Sequence, residues 1–62
     1  MKDIKFTTGD GIVYTAFHHP GNHDITIVTW YDEYSGPLEM GFRLYSTEKV
    51  IRNFADGRWN EL

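Results

Sequence analysis

A strict two-residue alternation from Leu38 to Tyr45 constrains this chain more than any other feature. Leu38, Met40, Phe42 and Leu44 fall on one side of an extended backbone, and Glu39, Gly41, Arg43 and Tyr45 fall on the other. That is the period of a half-buried strand. Upstream, Thr26 to Tyr31 is a run of strand-favouring residues, and Asp32 to Pro37 (DEYSGP) supplies turn chemistry between the two. The segment reads as a hairpin. Pairing Tyr31 with Leu38 sets Thr29 against Met40, Ile27 against Phe42 and Ile25 against Leu44, a face that is apolar apart from Thr29 and the Tyr31 hydroxyl. The same register sends Thr26, Val28 and Trp30 to the reverse face with Arg43, Gly41 and Glu39. Trp30 then lies across from Glu39 and diagonal to Gly41, whose missing side chain leaves room for the indole over the backbone.

A second hairpin signal opens the chain. Ile4 and Phe6 alternate before Gly9-Asp10-Gly11, and a three-residue loop there, with Gly11 free to turn left-handed, pairs Ile4 with Ala16 and Phe6 with Tyr14. Ile12, Tyr14 and Ala16 then share the inner face, with Val13, Thr15 and Phe17 outside. His18 to His23 (HHPGNH) is too short for a crossover helix, so the strands on either side of it run antiparallel.

Ser46 begins a helix. It is a good N-cap, Glu48 suits the first turn, Val50, Ile51 and Phe54 form an apolar stripe, and Gly57 stands where a left-handed C-cap belongs. The spacing predicts a helix over 47–56, after which Arg58 to Leu62 either adds a short edge strand or folds Trp59 back on the core. The expected fold is α+β: a four-stranded antiparallel meander with one C-terminal helix on a face, in a single domain spanning residues 1–62.

Size sharpens the problem of stability. A chain of 62 residues should bury only about 60% of its unfolded surface, and with no cysteine it has neither disulfides nor thiolate zinc sites to hold it. Ten aromatic residues must supply the packing. No segment reaches signal-peptide or membrane-span length, which gives the expectation of a soluble, cytoplasmic protein without membrane contact. A net charge of −3 with scattered basic residues argues against nucleic acid, although Trp30, Tyr45 or Phe17 could stack bases on a single-strand platform.

Candidate chemistry is sparse. His18, His19, His23 and Asp24 could ligate a divalent metal, but a turn lacks the fixed spacing of helical histidine pairs, so the segment reads first as a solvated turn and no cofactor is expected. Asp32, Glu33 and Glu39 could act as acid and base only inside a pocket that a chain this short has little volume to form. Binding is the better expectation. One helix covers one face of a sheet, so the side chains expected on the other, namely Val13, Phe17, Val28, Trp30 and Tyr45, need a cover. Trp30, Tyr45, Arg43 and Val28 are the expected partner contacts, with Asp32 and Glu33 at the rim.

In size and composition the chain resembles small accessory proteins of phages and mobile elements. That resemblance implies a non-enzymatic protein that binds and inhibits a host protein. A small structural homodimer, in which a second copy is the partner, is the other expectation.

Overall fold

Gly9 and Gly11 adopt φ values of +93° and +84°, a region open to a residue without a Cβ. Between them Asp10 accepts the Ile12 N–H through Oδ1 at 2.9 Å. This turn begins the sheet. The computed structural model describes residues 3–31 and 40–62, and in it the chain runs β1 (Ile4–Thr7), β2 (Val13–His19), β3 (Asn22–Tyr31), β4 (Met40–Ser46), α1 (Thr47–Ala55) and β5 (Asn60–Glu61). The strands form one antiparallel sheet in the order β4-β3-β2-β1-β5, with the helix packed on one face. The fold is α+β, as expected.

Turn chemistry accounts for the first hairpin register: Ile4 pairs with Ala16 and Phe6 with Tyr14. The next connection is tighter than its sequence suggests. β2 runs through His19, Pro20 and Gly21 alone make the turn, and His19 Nδ1 accepts the Gly21 N–H at 3.0 Å. The third register departs from expectation by two residues, because Tyr31 pairs with Met40, Thr29 with Phe42 and Ile27 with Leu44. A slip of two leaves every side chain on its own face, so alternation cannot distinguish the registers. Leu38 and Glu39, which the expected register used, lie outside the described residues.

The helix begins where capping chemistry places it. Ser46 Oγ accepts the Lys49 N–H at 3.2 Å. At the other end Gly57 (φ +76°) donates to Phe54 O and Arg58 donates to Asn53 O, the paired bonds of a Schellman stop. Trp59 is thereby aimed back at the sheet. Both sequence expectations for the tail hold together: Asn60 and Glu61 pair with Thr7 and Phe6, and Trp59 stacks on Phe6 with centroids 4.5 Å apart. Ile51 differs from expectation, since it is 63% exposed while Val50 and Phe54 alone carry the stripe inward.

Gly41 faces Trp30 directly across β3 and β4. A Cβ on Gly41 would overlap Cε2, Cζ2 and Nε1 of that indole, so Gly41→Ala must displace the ring. The expected cost is about 1–3 kcal/mol, read as a lower urea midpoint together with a shift in tryptophan emission. An unchanged midpoint and spectrum would show that the ring does not depend on this gap.

Candidate functional site

The β2–β3 pairing decides which side chains share a face. Ala16 opposes Val28 and Tyr14 opposes Trp30, so Val28, Trp30 and Tyr45 lie on the same side as Phe6, Tyr14 and Ala16, beneath the helix. This corrects the expectation that they form the uncovered face. Val28 is 2% exposed and presents no surface to a partner. Of the five residues expected to lack cover, Val13 and Phe17 do lie on the bare side. Each hairpin has two faces, and strand alternation inside one hairpin does not reveal which face its neighbour shares.

Trp30, Tyr45, Arg43 and Val28 nevertheless converge. Together with Tyr14 and Trp59 they line a recess of about 230 Å³ on the covered side, floored by Phe6 and edged by Thr8. Trp30 meets Tyr14 edge-on at 5.5 Å, and Tyr45 meets Trp59 edge-on at 5.2 Å. The Arg43 guanidinium lies 5.6 Å from the Tyr45 ring centre, within the range of a cation–π contact. Such a recess can seat one flat apolar side chain from elsewhere, with Arg43 at its lip. Asp32 and Glu33 lie outside the described residues.

The other face is broader and barer. Tyr31, Met40, Phe42 and Leu44 are between 54% and 68% exposed, and Val13 is exposed as well. Phe17, Ile25 and Ile27 lie half-buried on the same side. Alternation marks Ile25, Ile27, Met40, Phe42 and Leu44 as one apolar face and sets Val13 and Phe17 outside, but it does not reveal that the helix packs on the reverse. Chemically the surface offers aromatic and aliphatic carbon with two threonine hydroxyls, Thr15 and Thr29, opposite each other at its middle. A base-stacking platform needs cations near its rings, and along the strands only Lys5 alternates onto this face.

The histidines divide. The His18 and His23 rings meet edge-on at 5.8 Å, while His19 is occupied with the Gly21 amide. His18 Nδ1 is buried and has no hydrogen-bond partner among the described residues. It borders an apolar groove of about 200 Å³ between Ile4, Val50, Ile51 and Phe54. Among the described residues no three His, Asp or Glu side chains gather as a metal site would require.

One ionisable pair departs from ordinary behaviour. The Tyr14 hydroxyl donates to Asp10 Oδ2 at 2.6 Å, which lowers the Asp10 carboxyl and raises the Tyr14 phenol above its usual 10.0. Asp10 is fully exposed, so the pair works as a turn lock and not as buried catalytic machinery. The signs follow from linkage. The Asp10 contribution is present above its unfolded value and lost as pH falls through the lowered one. The Tyr14 contribution is present below 10.0 and lost as pH rises through the raised value. Asp10→Asn should bring the Tyr14 titration back down toward that ordinary value in a carbon-13 tyrosine NMR titration. A titration curve that the substitution leaves in place would show that the bond does not hold in solution.

No protein-family model matches the chain, and neither the curated proteins nor the solved structures yield a match.

Proposed function

We propose that this protein is a non-enzymatic protein-binding module that works by occupying the surface of another protein chain with its uncovered sheet face. One observation carries the reading: four large apolar side chains from β3 and β4 stand more than half exposed on one flank of a single face. Contiguous apolar area of this kind marks association sites in soluble proteins. The charge pattern supports it, since the centre of the face is uncharged and interface centres are depleted of charge. The helix side supplies a second, smaller contact, the recess with Trp30, Tyr45 and Arg43, whose residue types are those of binding hot spots.

The resemblance in size and composition to phage and mobile-element accessory proteins gives this reading its form, surface occupancy that inhibits a host protein. A cytoplasmic setting fits a chain without cysteine. Among the described residues no helix is long and apolar enough to cross a membrane.

The test compares two folded variants of the tagged chain in affinity capture from its native cell, each checked by circular dichroism. Phe42→Glu places a charge in the uncovered face, whereas Ile51→Glu places one on the exposed helix. Loss of the captured chain with Phe42→Glu and retention with Ile51→Glu is the expected result. Equal capture by both variants would remove the uncovered face as the contact surface.

A further inference from the structure

The chain exposes 4844 Å². For a monomer of its 7.3 kDa, surface scaling gives roughly 4200 Å², so the molecule carries about 650 Å² more surface than its mass requires. If two copies each removed that excess they would bury about 1300 Å² together, inside the range of roughly 1200–2000 Å² that specific stable interfaces occupy. The chain measures 31 × 27 × 17 Å, two layers thick, and the uncovered sheet is one of its two broad sides.

From these observations we infer that the uncovered face packs against the same face of a second copy, two sheets meeting about a twofold axis. This rests on the reading of that face as a protein-binding surface and names the chain it binds. Charge distribution favours a copy. A twofold axis sets a patch against itself, so any charge near the centre would meet its own kind. On this chain the charges of the bare side are confined to the β1 edge, at Lys5 and at Asp3 just ahead of the strand. Asp24, Arg43 and Glu61 alternate onto the covered side, and the remaining described charges sit on the helix or in turns. A molecule of net charge −3 therefore keeps every described acid away from the centre of that surface, with Asp3 at its β1 margin.

Shape agrees. Two twisted sheets pack face to face at an angle of about 30° with their side chains interleaved. Phe42 and Leu44 on β4 beside Ile27 on β3 supply ridges for such packing, while Thr15 and Thr29 leave a shallower strip between them and can hydrogen-bond each other or their symmetry mates. Edge pairing of β4 with its copy is the competing geometry. It would extend the sheet but leave both apolar faces in water.

Light scattering after size exclusion, run from micromolar to near-millimolar protein, should give twice the chain mass. Phe42→Glu should weaken the association by about a hundredfold, as burying an unpaired carboxylate at an interface requires. Phe17→Glu, on the same face but away from the β4 edge, should weaken it too, and Ile51→Glu, on the exposed helix, should leave it intact. Association lost with Phe42→Glu but not with Phe17→Glu indicates β4 edge pairing and overturns the inference, as does association that Ile51→Glu abolishes or that no variant changes. A monomer at every concentration also overturns it. In that case capture that depends on Phe42 keeps the face as a site for a foreign protein, whereas a monomer whose capture ignores Phe42 removes both readings.

Discussion

Phe6 is where the two layers of this protein are joined. Its ring is fully buried, stacked between Tyr14 at 5.3 Å and Trp59 at 4.5 Å, with Phe54 against its edge at 5.3 Å. Four rings from β1, β2, α1 and the tail thus share one site. Each such pair adds about 0.5–1.5 kcal/mol beyond the area it buries, which matters in a chain with no disulfide. The cluster also depends on backbone chemistry some distance away. Trp59 reaches Phe6 only because Gly57 reverses the chain after the helix and β5 then pairs with β1.

That closure has a consequence for the rest of the surface. Helix and tail are both spent on one side of the sheet, over Phe6, Ala16 and Val28, and the opposite side receives no cover from the described chain. The bare side is the more aliphatic of the two, holding Ile25, Ile27, Met40, Phe42 and Leu44. A monomer in water would gain by covering it. The covered side is more aromatic and more polar at its margin, which is why a recess with Arg43 at its lip persists there.

Handedness explains why the helix lies where it does. β4 and β5 run parallel at opposite edges of the sheet, so β4-α1-β5 is a crossover, and such connections are right-handed in nearly all proteins. The Leu62 N–H donates to Lys5 O, which directs the Lys5 carbonyl toward β5. With L-residues that orientation turns the Lys5 side chain away from the helix and makes the crossover right-handed. The helix therefore covers the Phe6 face whatever the relative greasiness of the two sides.

Local chemistry was legible in the residues themselves. Gly9-Asp10-Gly11 placed Phe6 opposite Tyr14, Ser46 and Gly57 bounded the helix, and alternation divided each strand into two sets of side chains. These features depend on φ preferences, caps and period, all of which act over a few residues. The slip of two in the third hairpin was invisible because it preserves every facing. So was the identity of the covered face. Trp30 and Val28 could be sorted from Ile27 and Thr29 by parity alone, but which set meets the helix depended on β5 joining the far edge beyond β1. Only the assembled sheet has a hand and two distinct edges, and so the tertiary structure alone decided which apolar surface stayed open to another chain.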